Sequence, residues 1–273
     1  MAFTSSSWSF TSCFVILQLL WSGNQYANGC YTTIISFGDS LADTGNLKQL
    51  ASVTNRVISV LLPPYGQNFY DQSNGRCSNG CLIIDFLAES LGLPLLSPYV
   101  IDKGSDNVRE LGHGVNFAVA GATALDSSFL EPRGILNGIT NSSLQKLIEM
   151  GAQTLVVPGN LPIECHSSYL TSFILMSLSS TLTTTMMPCK STGSPNKFGF
   201  TNGALKACCG GGGPFNYNLL AECGYPNTSV CDRPYTYVSW DGIHLTEAAY
   251  RLISKSLFQG PYTTPGLIPC ALH

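Results

Sequence analysis

The sequence predicts an α/β fold in which helices cover both faces of a parallel β-sheet. Two observations lead to this prediction. Short apolar runs that are typical of buried strands alternate with helical patterns along the chain. The chain has 273 residues, of which 44% are hydrophobic and 11% are charged. It is therefore long enough to bury a large core and too apolar to be disordered.

The first predicted strand covers residues 32–37, TTIISF, and ends at Gly38. Its β-branched and aromatic residues favour an extended backbone. A long loop-like stretch follows, punctuated by Pro63-Pro64 and by Asn74-Gly75.

The next two elements are predicted from their periodicity. Residues 82–91 place most of their apolar side chains on one helical face, and Gly92 follows as a stop signal. Residues 115–120 form a second strand-like run that ends at Gly121. This succession of strand, helix and strand favours parallel pairing of the two strands.

Further along the chain, the sequence predicts a helix at residues 144–148 and a strand at residues 154–157. Residues 167–187 contain no charged residue and have neither helical nor strand periodicity, so we treat them as a loop. Thr246 is a candidate N-cap of a final helix. We expect its buried face to consist of Ala248, Ala249, Leu252, Ile253 and Leu257.

Residues 1–29 predict a secretory signal peptide. An apolar run at residues 13–21 is too short to span a bilayer, and small polar residues follow it up to Gly29. The segment before the run has no Lys or Arg, which is unusual for a signal, and the alternative is a buried N-terminal helix. We therefore expect one domain over residues 30–273, secreted to the extracellular space without a transmembrane segment.

The cysteine content agrees with an oxidising compartment, because ten of the 11 cysteines follow residue 29. The sequence leaves the disulfide pairing open. A metal site is the alternative for four of these cysteines, but they lack the paired C-x-x-C spacing of zinc sites. The four residues are Cys208, Cys209, Cys223 and Cys231.

Two further features concern the protein surface. Asn141 and Asn227 begin Asn-x-Ser/Thr sequons, which makes them candidate glycosylation sites. The 13 basic and 16 acidic residues give a net charge of −3, so the chain lacks the positive charge that attracts phosphate backbones. We expect no nucleic-acid partner, and we take a monomer as the default state.

Two short segments together predict a serine hydrolase. Ser40 follows the first strand, where its hydroxyl can project into a crevice at the carboxyl edge of the sheet. The N–H groups of a following helix would then face any anion formed there. His244 precedes the final helix and can act as a general base oriented by Asp241, three residues earlier. Each segment alone is more often a helix cap, so the prediction depends on their combination.

Three segments resemble plant GDSL esterase/lipases, a family within the SGNH hydrolase superfamily. They are residues 36–46, SFGDSLADTGN, residues 114–124, GVNFAVAGATA, and residues 241–246, DGIHLT. They resemble the first, second and last sequence blocks of that family. The resemblance implies a three-layer α/β/α sandwich with a flavodoxin-like parallel sheet.

The resemblance also implies a mechanism and its residues. Carboxylic esters would be hydrolysed through an acyl-enzyme, without a cofactor or a metal. Ser40 would be the nucleophile, His244 the base and Asp241 its partner. The backbone N–H groups of Ser40 and Gly121 would stabilise the oxyanion.

The third family block is missing. Family members carry a Gly-x-Asn-Asp motif whose asparagine amide is a further oxyanion donor, and this motif occurs nowhere in the chain. We expect the domain to be shortened around residues 126–141 and 170–197. Loss of one oxyanion donor lowers turnover by roughly 10²–10³-fold.

Two hypotheses about function follow. The first is a secreted esterase or lipase of impaired activity that acts on small-molecule or lipid esters. The second is an inactive secreted relative that at most binds ligands. The sequence does not select the ester.

Overall fold

The structure is a computed structural model, and it describes residues 31–54, 57–69, 73–99, 113–122, 148–149, 154–157, 166–171 and 194–259. Several predictions fall outside these ranges: the signal peptide at residues 1–29, the glycosylation site Asn141 and the shortening at residues 126–141. The same holds for most of the predicted shortening at residues 170–197 and for most of the predicted helix at residues 144–148. In the described ranges, no helix is long and apolar enough to cross a membrane.

The centre of the fold is a parallel strand pair. Strand β1 (Ile34–Ser36) pairs in parallel with β2 (Gly114–Asn116), in a register that places Ile34 opposite Gly114. On its other side, β2 is hydrogen-bonded to residues 97–99. The parallel sheet and the helices around it confirm the predicted α/β fold.

The contact between the two strand segments continues beyond β2, toward their carboxyl ends. The Phe117 N–H donates to the Ser36 carbonyl at 2.7 Å, and the Val119 N–H donates to the Gly38 carbonyl at 3.1 Å. The second strand is thus shorter than the predicted run of residues 115–120. Its last residues are nevertheless held against the segment that leads to Ser40.

The longest helical segments in the described part of the chain are α1 (Asn46–Thr54), α2 (Ile83–Ser90) and α3 (Glu247–Gln259). Short 3-10 turns cover Ser59–Leu61, Pro195–Phe198 and Pro234–Thr236. The predicted helix at residues 82–91 corresponds to α2, and the predicted final helix corresponds to α3.

Helix α2 lies between the sheet and α3. Its Phe86 belongs to a buried cluster with Ala249 and Tyr250 of α3. Its Ala88 packs with Ile34 of β1 in a second buried cluster. Burial of a side chain the size of Phe86 contributes about 1.5–3 kcal/mol, so these contacts fix the position of α3 relative to the sheet.

A small disulfide-bonded hairpin forms a separate substructure. Strand β3 (Cys209–Gly210) pairs antiparallel with β4 (Ser229–Val230). Disulfides join Cys208 to Cys231 and Cys209 to Cys223. The alternative of a metal site at these four cysteines is wrong, because every one of their thiols is consumed in a disulfide.

Helix α1 is the helix that was expected to follow Ser40, and it lies within the stretch that was otherwise predicted to be loop-like. The Asp43 carboxylate accepts the N–H groups of Gly45, Asn46 and Leu47 at 2.6–3.0 Å, which satisfies donors that have no partner within the helix. The helix sequence, NLKQLASVT, is short and largely polar. Its weak apolar periodicity left its bounds unpredicted, whereas the capping aspartate was a usable signal for its start.

Two other predictions differ from the structure. Residues 154–157 do not form a strand, and Leu155, Val156 and Val157 are exposed. An apolar run becomes a strand only where a neighbouring strand completes its hydrogen bonds, and the run does not specify that neighbour. Residues 167–171, in the predicted loop, are helical.

Helix α3 begins as predicted, and Ala248, Ala249, Leu252 and Ile253 of the predicted face pack in or against the core cluster. The Ala249 N–H donates to Thr246 Oγ1 at 3.3 Å, which confirms the cap. Of the predicted face, Ala249 is buried, whereas Ala248, Leu252, Ile253 and Leu257 are half-buried. The most deeply buried residues of α3 are Ala249, Tyr250, Ser254 and Phe258, and the first two pack in the cluster that contains Phe86 of α2.

A buried ion pair joins the segment after Ser40 to α2. The Arg76 guanidinium contacts both carboxylate oxygens of Asp85, at 2.7 and 2.8 Å, and donates to the Thr44 carbonyl at 3.3 Å. Both side chains are almost fully buried. The Asp85 carboxylate also accepts the Leu82 N–H at the start of α2. Arg76 therefore has a structural role here.

We expect Arg76→Ala to lower the free energy of unfolding by about 3–5 kcal/mol, because it leaves the Asp85 carboxylate buried without its counter-charge. Urea denaturation followed by circular dichroism measures this loss. The matched control is Arg251→Ala, which removes a partly exposed pair with Glu247 and the guanidinium contact with the Phe86 ring, and should cost less than about 2 kcal/mol. Equal losses in the two variants would contradict the role assigned to the buried pair.

Candidate active site

The structure brings Ser40, His244 and Asp241 together in one hydrogen-bonded chain. The Ser40 Oγ lies 2.9 Å from His244 Nε2, and His244 Nδ1 lies 2.7 Å from Asp241 Oδ2. An ionised carboxylate only accepts hydrogen bonds, so Nδ1 carries the proton and Nε2 is left to accept the Ser40 hydroxyl proton. This is the arrangement of a nucleophile, a general base and an orienting acid.

His244 and Asp241 lie on one tight turn between residues 239 and 245. The Trp240 N–H donates to the His244 carbonyl at 2.8 Å and closes the turn. Inside it, Asp241 Oδ1 accepts the N–H groups of Ile243 and His244 at 2.9 and 2.7 Å. Gly242 has φ +97°, and a Cβ there would lie 2.4 Å from the Tyr217 ring. Glycine is thus required on both conformational and steric grounds.

The disulfide-bonded hairpin holds this turn in place. The N–H groups of Cys208 and Cys209 donate to the carbonyls of Ser239 and Trp240 at 3.0 and 2.7 Å. The two cysteines also pack with the Trp240 ring, which is fully buried. The two disulfides therefore stabilise the segment that is hydrogen-bonded to the turn carrying His244.

Ser40 lies in a turn that its neighbours stabilise. The Asp39 carbonyl accepts the N–H groups of Ala42 and Asp43 at 3.1 and 3.0 Å, and the Asp39 side chain accepts the Leu41 N–H at 2.9 Å. The serine is half-buried, which leaves part of its side chain accessible. The turn thus presents the hydroxyl to His244 without burying it completely.

A network of buried polar side chains joins this turn to the segment after β2. Asp43 Oδ2 accepts the Ala120 N–H at 2.8 Å, in addition to its contacts with α1. The Asn46 amide donates to the carbonyls of Asn116 and Ala118, both at 2.8 Å. The Asn116 amide in turn donates to the Ala42 carbonyl. Three side chains thus lock two distant segments together.

Gly121, the other predicted oxyanion donor, lies one residue beyond this contact. It is exposed and has φ +86°.

The expectation that helix N–H groups face an anion near Ser40 is wrong. Helix α1 begins only at Asn46, and its first N–H groups already donate to Asp43.

Asp241 and His244, both buried in this turn, shift each other's pKa. Burial alone would raise the pKa of Asp241, but His244 and the hydrogen bonds that the carboxylate accepts hold this pKa well below its usual range. Burial alone would lower the pKa of His244, but the Asp241 carboxylate raises it well above 6.5. Only the neutral imidazole accepts the Ser40 proton, so the competent form is favoured at higher pH.

Sequence reasoning missed several residues that shape the site. Tyr65 donates from its hydroxyl to Asp241 Oδ2 at 2.7 Å, and Asp43 and Asn116 hold the two segments together. Asp43 and Asn116 belong to the sequence blocks already singled out, so their buried polar character was a usable signal. No pattern in the sequence around Tyr65 indicated its contact with Asp241.

The predicted glycosylation site Asn227 lies on an exposed turn with φ +66°.

Comparison with known proteins gives consistent matches. The family model described as GDSL-like lipase/acylhydrolase matches residues 34–159. A GDSL esterase/lipase of Arabidopsis thaliana is 34% identical, covering 86% of this chain and 86% of that protein. A second one from the same plant is 34% identical and covers 92% and 88%. Sinapine esterase of Brassica napus is 32% identical and covers 86% and 87%.

These alignments also show a difference in length. The alignment with the first Arabidopsis protein extends over 342 positions, whereas this chain has 273 residues. The alignment covers 86% of this chain, or about 235 residues, so about 107 positions of that relative have no counterpart here. Where they fall within the domain stays a prediction.

We expect the His244 imidazole to titrate above pH 6.5 and Asp241→Asn to lower its pKa, because the substitution removes the charge that stabilises the imidazolium. NMR of ¹³C-labelled histidine measures this pKa, and the chain has only four histidines, so His244→Gln assigns the signal. Asp232→Asn, on the exposed surface, is the matched control and should leave the titration unchanged. A His244 pKa that does not respond to Asp241→Asn would contradict the proposed coupling.

Proposed function

The chain belongs to the GDSL-like lipase/acylhydrolase family, and we propose that it hydrolyses carboxylic esters with Ser40 as the nucleophile. The observation that carries the proposal is the hydrogen-bonded chain from Ser40 Oγ through His244 to Asp241. Ser40 and His244 are 204 residues apart in sequence, so a local capping motif does not account for their contact.

The reaction follows from the positions of these atoms. Ser40 Oγ attacks the ester carbonyl carbon while its proton moves to His244 Nε2. The bond from that carbon to the leaving alcohol then breaks, and the alcohol takes the proton from Nε2. Water next attacks the acyl-enzyme and gives a proton to Nε2, and the acid departs as Ser40 recovers its proton. The cycle consumes one water and needs no cofactor.

Asp241 stays ionised throughout this cycle. Its low pKa keeps the carboxylate ionised, so it holds the Nδ1 proton of His244 and stabilises the imidazolium without being protonated itself. Burial of the pair strengthens this interaction, because the local dielectric is lower than that of water.

We assign the oxyanion to the backbone N–H groups of Ser40 and Gly121. The contact between Ala120 and Asp43 supports this assignment, because it holds the residue before Gly121 against the nucleophile turn. The chain lacks the Gly-x-Asn-Asp motif that would supply a further donor. We therefore propose turnover that is roughly 10²–10³-fold below that of a relative with all three donors.

The same missing motif favours the second candidate function, an inactive relative that binds esters without cleaving them. The two candidates make different predictions about Ser40. An activated serine reacts with a fluorophosphonate, whereas an ordinary serine does not.

The setting that we propose is extracellular, in the plant apoplast or cell wall, with residues 1–29 removed as a signal peptide. The two disulfides support this setting, since they form and persist in oxidising compartments. The exposed turn at Asn227 makes that sequon accessible to glycosylation, and Asn141 is proposed as the second site. The partner is a small-molecule or lipid ester, and the protein acts as a monomer.

We expect Ser40→Ala to lower ester turnover by roughly 10³-fold or more, because the variant has no nucleophile for the acyl-enzyme. Hydrolysis of short-chain aryl esters measures turnover. Intact mass after fluorophosphonate treatment should show one adduct on the native chain and none on the variant.

Ser52→Ala is the control, because Ser52 is an exposed residue of α1 whose hydroxyl bonds only to the Gln49 carbonyl among the described residues. It should be labelled and turn over like the native chain. A folded native protein that takes up no probe would refute the esterase and leave the inactive relative. Full activity in Ser40→Ala would refute the choice of nucleophile.

A further inference from the structure

Tyr65 makes a contact with the candidate triad that the reaction described above does not use. Its hydroxyl donates to Asp241 Oδ2 at 2.7 Å, and the same oxygen lies 2.7 Å from His244 Nδ1. Tyr65 comes from the segment after the first 3-10 turn, 176 residues before Asp241. The contact is thus long-range and converges on the oxygen that orients the base.

The surroundings fix this tyrosine in one position. Its side chain is almost fully buried, at 3% exposure, and its ring meets the Trp240 ring edge to face at a centroid distance of 5.9 Å. The Tyr65 N–H donates to the Leu62 carbonyl at 3.1 Å. A hydroxyl held in this way has a fixed direction, so it restricts the orientation of the carboxylate that accepts it.

From this geometry we propose that Tyr65 is a positioning residue of the reaction, which orients the Asp241 carboxylate and, through it, the His244 imidazole. The inference rests on the proposed function of Ser40, His244 and Asp241. Among the described residues, the Asp241 carboxylate then has four donors. They are the Tyr65 hydroxyl, the His244 ring N–H and the backbone N–H groups of Ile243 and His244.

Tyr65 also determines how strongly Asp241 acts on the base. The hydroxyl withdraws part of the negative charge of Oδ2, the oxygen that stabilises the imidazolium. Without it, that charge is available to His244 alone, and the protonated ring is stabilised further. Removal of the hydroxyl is therefore expected to raise the His244 pKa and to move the acid limb of kcat/KM to higher pH.

The donor stays protonated over the relevant pH range. Burial, together with the nearby Asp241 charge, raises the pKa of Tyr65 well above 10. Other titratable groups act on the pair or on the tyrosines around it, and a substitution at Tyr65 leaves all of them in place. They are Asp39, Cys77, Tyr217, Glu222 and Tyr250.

The test is Tyr65→Phe, which keeps the ring and its packing on Trp240. By NMR of ¹³C-labelled histidine, we expect the His244 pKa to rise by about half a pH unit or more. The acid limb of kcat/KM should move by the same amount. We also expect kcat to fall roughly tenfold with a small change in KM, because the base is held less firmly.

Tyr250→Phe is the matched control. It removes a buried hydroxyl that accepts the Leu245 N–H at 3.3 Å, next to the same turn. The donors that the described residues supply to Asp241 do not include this hydroxyl. This control should lower thermal stability but leave the His244 pKa and the acid limb in place. A merely structural Tyr65 would behave like Tyr250, and an unchanged His244 pKa in Tyr65→Phe would overturn the proposal.

A second variant keeps the hydroxyl and covers the case in which Tyr65→Phe does not fold. 3,5-Difluorotyrosine at position 65 is a stronger hydrogen-bond donor, so the His244 pKa should fall below the native value. A rise or no change would overturn the proposal.

The NMR titration does not require turnover and so separates the two proposals. If Ser40 takes up no probe while the His244 pKa responds to position 65, the esterase fails and the contact stands. If Ser40 is labelled and the pKa does not respond, only the role of Tyr65 fails.

Discussion

The Asp43 carboxylate is the interaction on which the rest of the structure depends. This buried carboxylate accepts four backbone N–H groups, three at the start of α1 and one at Ala120. A carboxylate is tolerated in the protein interior only when such donors surround it, so the two segments must meet. One side chain thus caps a helix and places the residue before Gly121 against the turn that carries Ser40.

Two other buried carboxylates in the described part of the chain have similar roles. Asp85 binds Arg76 and accepts the Leu82 N–H at the start of α2. Asp241 accepts two N–H groups of its own turn, and it also binds the His244 ring and the Tyr65 hydroxyl. The chain has few charged residues, at 11%, and it places several of them inside as organisers of loops. The loops that carry the candidate site are consequently ordered by polar contacts, whereas the helices are ordered by apolar packing.

The sequence predicted the parts of the molecule that depend on residues close together in the chain or on known family segments. The strand before Ser40, the helix that became α2, the Thr246 cap and the convergence of Ser40 with His244 all followed from short segments or from family resemblance. It failed where distant partners decide the outcome. The run at residues 154–157 needs a neighbouring strand, and Tyr65 is defined only by an oxygen 176 residues away. No local pattern indicates this hydrogen bond, because its acceptor lies in a distant part of the sequence.

The separation of Ser40 and His244 along the chain has a consequence for folding. Joining two points 204 residues apart costs a flexible chain roughly 5 kcal/mol of loop-closure entropy, before the contact itself returns anything. The contact therefore cannot persist in a partly folded chain, and β1, α2 and α3 must already be packed for it to form. A chain synthesised only as far as Ser40 does not yet contain the candidate base. The candidate site is assembled only when β1 and α3 have packed through α2, so reactivity at Ser40 would report that this packing is complete.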